Sequence, residues 1–335
     1  MPPPISINPI GRTAEELVAS AQRLENLGYP AVWLNENRFD AYATAAAVAA
    51  TTRRITVGTA VAVWSRSPVQ ASLAAATITQ LAGGRFVHGV GSGPAERNER
   101  WHGIPYRKAG QRLREYLTCL RLAWQATPLT PASFAGEFYR IDRYVRLDDQ
   151  PPAPIRTYVG VVRPLACRIA GELADGVLLD TNLSVAYIRG VVLPALAQGA
   201  ARAGRPLADY LVSAGQLVCV DRDHPQAVEW ARHRLVSHIV HDYYRQLYAY
   251  GGFAAEAEAA SLAIQRGDTR AALDAISEEM VLAHACAGTP DEVRRQISRW
   301  EPFVNDIRIA LPIGTLTHEE IAANWRQIID TFPPR

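Results

Sequence analysis

Two rhythms of apolar and polar residues take turns along this chain. One is a short, nearly unbroken apolar run. The other places apolar residues every three or four positions. ISINPI (5–10) is followed by TAEELVASAQRLENLG (13–28), where Thr13 and Glu16 form a capping box. Leu17, Ala21, Leu24 and Leu27 share one helix face there, and Gly28 ends the helix. PAVWLN (30–35) leads into DAYATAAAVAATT (40–52), and RITVGTAVAV (54–63) into SPVQASLAAATITQLAGG (67–84), with Ser67 as cap and Pro68 in the first turn. RFVHGVGSG (85–93) is the fourth strand and RLREYLTCLRLAWQ (112–125) the fourth helix. The aromatic and proline-rich stretch 130–154 then breaks the rhythm and reads as a small hairpin and a loop. The alternation resumes with strands at IRTYVGV (155–161), DGVLLD (175–180) and YLVSAGQLVCV (210–220), and with helices at 164–174 and 184–204. A long, aromatic-rich helical insertion runs from about Asp223 to Cys286, after the seventh strand. A helix at 289–300, an eighth strand at NDIRIALPI (305–313) and a helix at 317–332 close the chain.

Strands alternating with helices predict a parallel sheet with helices outside it. Eight such units favour an α/β fold of the (β/α)8 TIM barrel type, one domain over 1–335 with insertions at its mouth. An open, doubly wound sheet is the alternative. That alternative would make RFVHGVGSGP a dinucleotide fingerprint, G-x-G-x-x-G. The third glycine position is Glu96, the motif lies in the fourth unit, and PAERNERWHG (94–103) is a poor start for a tightly packed helix. Gly91 and Gly93 fit better as a place where backbone approaches a flat ligand at the C-terminal end of a barrel strand, or as a plain turn.

The net charge of +2 gives no field to draw nucleic acid or membrane. Cys119, Cys167, Cys219 and Cys286 lie far apart with no CxxC pair, which predicts no disulfide framework or zinc ribbon and fits a reducing cytosol. MPPPISINPI lacks the basic and apolar regions of a signal peptide, and no run reaches the ~20 apolar residues of a membrane span. Lys108 is the only lysine, an arginine-rich habit of GC-rich genomes such as those of actinobacteria.

The stretches LGYPAVWLNENRFD, RRITVGTAVAVWSRSPVQASLAAATITQLAGGRFVHGVGSGP, FAGEFYRI, YVGVVRPLACRIAGELADGVLLD, VVLPAL and GTPDEV occur in an order and spacing that covers nearly the whole chain. Together they resemble the luciferase-like monooxygenase superfamily, and AVAVWSRSP with the later pieces resembles its coenzyme F-420-dependent branch. The resemblance implies a (β/α)8 barrel that holds coenzyme F-420 or flavin mononucleotide (FMN). It implies a bulge with a non-prolyl cis peptide at Ala60–Val61, after Thr59, propping the cofactor ring. It places Gly91, Ser92 and Gly93 beside ring and tail, and Gly160, Val161, Val162 and Arg163 at the cofactor phosphate, where a helix N-terminus suits an anion. Asn8 and Asp180 are further cofactor positions under the same resemblance.

The chain departs from the family pattern in three places. Val162-Arg163 stand where relatives carry small glycines; Arg163 is either a phosphate or tail partner or a solvated helix-start residue. Asn35 and Glu36 stand where relatives have an Asp-His pair; Glu36 is either the proton donor or a structural carboxylate. Pro94 stands where some relatives have a catalytic acid.

Trp64 and Arg66 are candidate substrate contacts, or simply part of a helix start. The stretch HDYYRQLYAYGGF (241–253), with Tyr244 and Tyr248, is either a lid over substrate or a surface for a partner subunit. His88 reads as a barrel histidine rather than a base. His233, His238 and His241 do not have metal-site spacing, so no metal is expected.

The expected activity is hydride transfer between coenzyme F-420 and a small organic substrate, with reduction of a C=C or C=N bond. The alternatives are an FMN monooxygenase fed by a separate reductase and a non-catalytic cofactor-binding barrel. The expected setting is the cytoplasm. The expected assembly is a homodimer, without nucleic acid or membrane as partner.

Overall fold

Side-chain capping sets seven of the helix starts. Thr13, Asp40, Ser67, Ser184, Asp268, Ser277 and Thr317 each accept a backbone N–H from the first turn they precede. The computed structural model describes residues 2–36, 38–147, 153–313 and 316–334. The first elements are β1 (Ile5–Ile7), α1 (Ala14–Leu27), β2 (Ala31–Leu34), α2 (Ala41–Thr51), β3 (Thr56–Thr59), β4 (Ala62–Val63), α3 (Pro68–Leu81) and β5 (Phe86–Gly91). Next come α4 (Ala95–His102), α5 (Ala109–Gln125), β6 (Ala132–Ala135), β7 (Arg140–Tyr144), β8 (Arg156–Val161), α6 (Pro164–Leu173) and β9 (Gly176–Leu179). Then follow α7 (Val185–Tyr187), α8 (Leu193–Arg202), β10 (Leu211–Val220), α9 (His224–Ile239), α10 (Asp242–Tyr250), α11 (Ala254–Gln265) and α12 (Thr269–Asp274). The last are α13 (Glu278–His284), β11 (Cys286–Gly288), α14 (Pro290–Ile297), β12 (Asp306–Ala310) and α15 (His318–Thr331).

The chain divides into two compact units. The first comprises Pro9–Leu178 and Pro194–Leu211. Its strands pair in parallel: β2 with β3 from Ala31–Thr56 to Leu34–Thr59, β3 with β5 at Val57–Phe86, and β5 with β8 from Val87–Arg156 to Val90–Val159. The sheet side chains of Ala31, Trp33, Val87, Tyr158 and Leu178 form a buried cluster, on which Ala60, Val61 and Leu211 pack. β6 and β7 form a separate antiparallel hairpin.

The second unit comprises Met1–Asn8, Leu179–Leu193 and Val212–Arg335. Here β12 pairs in parallel with β1 (Ile307–Ile5) and with β10 (Asp306–Ser213), and β10 also pairs with β11 (Val218–Cys286). All but the first residue of β10 is buried, as expected of a parallel strand covered on both faces.

Eight strands, β1, β2, β3, β5, β8, β9, β10 and β12, are each followed by helix, which is the (β/α)8 order predicted from the apolar rhythm. The helices α9–α13 occupy the segment read as an insertion. One local reading is corrected, and two elements are added to those read from the sequence. The run 54–63 is not one strand: it breaks at Ala60–Val61 and resumes as β4, which pairs with β5. PAERNERWHG does form a helix, α4, closed by Gly103 in the left-handed region. Asn98 is its only buried residue, so there was no apolar stripe to read. The three-residue strand β11 is too short for a pattern.

All four cysteines are free and buried. Among the described residues no helix is long and apolar enough to cross a membrane.

Candidate active site

In the first unit the site grows from the break between β3 and β4. The Ala60–Val61 peptide is cis, at the bond singled out from the sequence. Ala60 N–H still donates to Leu34 O at 2.8 Å, and Trp64 N–H to Gly91 O at 3.1 Å, so both sides of the break remain tied to neighbouring strands. The side chain of Val61 lies between two glycines. A Cβ on Gly91 would sit 2.7 Å from Val61 Cγ2, and one on Gly160 would sit 2.9 Å from Val61 Cγ1. Glycine is therefore required at the ends of β5 and β8 by the bulge itself. Gly93 has φ of +64° and lies under Val63. Thr59 is fully buried; its hydroxyl donates to Gly89 O at 2.7 Å and accepts from Gly89 N–H at 2.9 Å.

Asn35 and Glu36 follow β2 and are half-buried. Val63 N–H donates to Glu36 Oε2 at 2.6 Å, which fixes the carboxylate against the bulge and leaves Oε1 without a partner among the described residues. Trp64 is only 2% exposed, and its Nε1–H donates to Asn98 Oδ1 at 2.7 Å. Asn98 Nδ2 in turn donates to Ser92 O and Pro94 O at 2.7 and 2.9 Å, so the buried amide of α4 shapes the loop after β5. Tyr106 O–H donates to Ser92 Oγ at 3.1 Å, and its ring lies 5.9 Å from that of Trp64. Arg66 is ion-paired with Asp40 and lies over the Tyr42 ring. Val161 is buried, and Val162 is half-buried. Arg163 is the exposed residue preceding Pro164 at the start of α6, and its side chain makes no cap. His88 is fully buried; Tyr42 O–H meets its Nε2 at 2.8 Å, and burial lowers its pKa to about 3. It is a neutral core residue.

The second unit holds a different cluster. Tyr244 O–H donates to the Asp180 carboxylate, 3.1 and 3.0 Å from its two oxygens. The His238 ring stacks on Tyr244 at 4.3 Å, and its Nδ1 accepts from Asn182 Nδ2 at 2.5 Å. His284 Nδ1 donates to Asn182 O at 2.9 Å. Burial raises the Tyr244 pKa and lowers those of His238 and His284, so these groups are uncharged at neutral pH. Tyr248 is fully buried, its hydroxyl without a partner among the described residues. Asn8 is buried beside β12; its carbonyl accepts from Trp325 Nε1, and its Oδ1 has no partner among the described residues. Among the described residues, no three His, Cys, Asp or Glu side chains are grouped to hold a metal ion.

Residues 4–304 match the model of the luciferase-like monooxygenase family. The chain belongs to that family. Among its luciferase-like relatives is an F-420-dependent glucose-6-phosphate dehydrogenase of Beutenbergia cavernae, 34% identical over 56% of this chain and 55% of that protein. The match thus spans little more than half the length of that dehydrogenase. A 5,10-methylenetetrahydromethanopterin reductase of Archaeoglobus fulgidus is 27% identical over 94% of this chain and 95% of its own. The solved structure of the coenzyme F-420-dependent tetrahydromethanopterin reductase of Methanopyrus kandleri superposes with a TM-score of 0.79 at 21% identity, over 99% of both chains. That likeness shows the (β/α)8 barrel fold. An FMN-bound Baeyer–Villiger monooxygenase of Pseudomonas putida shares the fold, with a TM-score of 0.67 at 17% identity.

The first unit brings Glu36, Thr59–Val61, Trp64, Gly91–Gly93 and Gly160 to one bulge, while Asp180 and Tyr244 meet in the second. Sequence reasoning missed Asn98, Tyr106 and Arg112. The signal for Asn98 is a tryptophan that needs a buried acceptor, and nothing local names the partner.

Proposed function

We propose that this chain is an oxidoreductase that moves a hydride between coenzyme F-420 and a small organic substrate, reducing a C=C or C=N bond. The observation that carries the reading is the Ala60–Val61 bulge seated between Gly91 and Gly160, in a family whose F-420-dependent members include a dehydrogenase and a reductase. The residues fit a flat ring: backbone, two glycines and Val61 leave no bulky side chain on the bulge. When bound, the deazaflavin supplies a carbon that gives or takes a hydride. Val61 and the β5 and β8 glycines would support the ring, Ser92 and Gly93 would border it, and Val162, Arg163 and the start of α6 would receive its phosphate. Glu36 is the proton donor of this reading. Its Oε2 is pinned by Val63 N–H, and its unpartnered Oε1 is the atom that delivers the proton to substrate.

An anaerobic fluorescence titration of the apo-protein with coenzyme F-420 and with FMN tests the reading. The expected result is saturable, low-micromolar quenching of tryptophan by the deazaflavin and none by FMN. Binding of FMN alone, with oxygen consumption on reduced flavin, would replace hydride transfer by monooxygenation. Glu36→Gln is expected to retain coenzyme binding and to lower turnover at least about a hundredfold, the scale of general acid catalysis.

A further inference from the structure

Arg112 lies in the first turn of α5, after the loop that leaves β5. Its guanidinium carbon is 5.2 Å from the centre of the Trp64 ring, 5.7 Å from Phe138 and 5.5 Å from Tyr139. Its Nε–H donates to Tyr139 O–H at 3.0 Å. No carboxylate pairs with it among the described residues. Its neighbours differ: Arg107 and Lys108 share Glu137, and Arg114 shares Glu172 with Arg202. The hairpin tip carrying the two rings is held from below. Glu115, one turn further along α5, accepts the backbone N–H groups of Glu137, Phe138 and Tyr139 at 3.0, 2.8 and 3.2 Å.

A guanidinium is planar, with donors only in its plane. Here aromatic rings crowd its carbon and the hydroxyl of Tyr139 takes the Nε edge. The Nη edge is left with its donors in a fixed orientation. Two parallel N–H groups in one plane match the two oxygens of a carboxylate or phosphate. The charge also borders the candidate site. Trp64 is continuous with the bulge through Val63, which holds Glu36, and its ring meets Tyr106, which holds Ser92.

We propose that Arg112 is an oxyanion-binding residue, and that the ligand of this site carries a carboxylate or phosphate that docks on its Nη edge. The placement rests on the site assigned above. The oxyanion belongs either to the substrate or to the coenzyme's anionic tail.

The experiment titrates apo-protein with inorganic phosphate and follows tryptophan fluorescence, since Trp64 touches the guanidinium. The wild type is expected to give a saturable change. Arg112→Gln should weaken it at least tenfold, Arg112→Lys, which keeps the charge but not the paired N–H edge, should weaken it less than Arg112→Gln does, and Arg107→Gln, which removes a like charge over the same Phe138 ring, should leave it intact. An Arg112→Gln protein with the wild-type urea midpoint and wild-type phosphate response overturns the proposal. So does equal loss in Arg107→Gln, which would reduce the effect to general positive charge. If Arg112→Gln does not fold, a wild-type phosphate response in a folded Arg112→Lys overturns it as well, because a point charge cannot reproduce two parallel N–H donors. A parallel titration with coenzyme F-420 identifies the source. Affinity lost in step with the phosphate response assigns the oxyanion to the coenzyme tail; unchanged affinity assigns it to the substrate. A protein that binds phosphate through Arg112 but neither coenzyme F-420 nor FMN would retain this proposal and end the cofactor reading.

Discussion

Around Val61 the chain uses backbone, glycine and short apolar side chains; around Asp180 it uses long side chains that stack and hydrogen-bond. The first cluster has its shape because nothing larger fits: Val61 fills the space above Gly91 and Gly160, and Thr59 O lies where a Cβ on Gly89 would go. The second has its shape because Tyr244, His238, Asn182 and His284 satisfy one another in a buried setting. Steric sites tolerate no added atom, whereas polar networks are damaged by a removed one. The two clusters should therefore respond oppositely to small and conservative substitutions.

Gly89→Ala gives the largest effect. The new Cβ would lie 1.8 Å from the Thr59 carbonyl oxygen, a backbone atom between two strands. A loss at the upper end of the overpacking range, about 3 kcal/mol, is expected in urea unfolding. A midpoint equal to wild type would mean that β3 and β5 can separate freely, and the steric account would fail. Gly91→Ala follows. It pushes on a side chain rather than on backbone, so the fold should survive while coenzyme affinity drops about tenfold. Unchanged affinity would remove Val61 from the cofactor surface.

On the polar side, Tyr244→Phe keeps the ring stack on His238 and removes only the hydroxyl that serves Asp180. A stability loss of about 1 kcal/mol is expected, with coenzyme affinity unchanged. A large fall in affinity with full stability would transfer Tyr244 from the scaffold to the ligand.

The smallest effect is pH-dependent. His224 lies between Glu292 and Glu278, each at 2.9 Å, and both bonds raise its pKa above the usual 6.5. The stabilisation is complete below 6.5 and is lost as pH rises through the raised value. Glu292, held by His224 and Thr289, is lowered from 4.5 to about 2, so its share is lost only as pH falls through that value. His224→Gln should therefore destabilise more at pH 5.5 than at pH 9 in thermal melts. An equal deficit at both would show that packing, not charge, joins α9 to α13 and α14.

The legible part of this molecule is the part encoded locally. Strand and helix order, the caps at Thr13 and Ser67, and the position of the Ala60–Val61 break all lie in short windows of sequence. Helix α4 lacked an apolar face, so periodicity could not reveal it. Trp64 reads from the sequence as a candidate substrate contact or as part of a helix start. Its burial against Asn98 and Arg112 comes from segments 34 and 48 residues away, which no window contains. Arg66 carried the same ambiguity until Asp40 met it across the loop. A residue such as Arg112, which pairs with no carboxylate among the described residues, is the least legible, because every carboxylate must be placed first.

Lys108, the single lysine, precedes α5 four residues before Arg112, and its side chain is largely exposed. Amine-directed chemistry therefore has one side chain to modify. A fluorophore or a surface tether attached there would put its reporter beside the aromatic frame of Arg112. Lysine-specific proteolysis of the unfolded chain would yield two fragments, parted between Lys108 and Ala109. The single lysine thus gives this protein a unique side-chain amine next to the surface most in need of a probe.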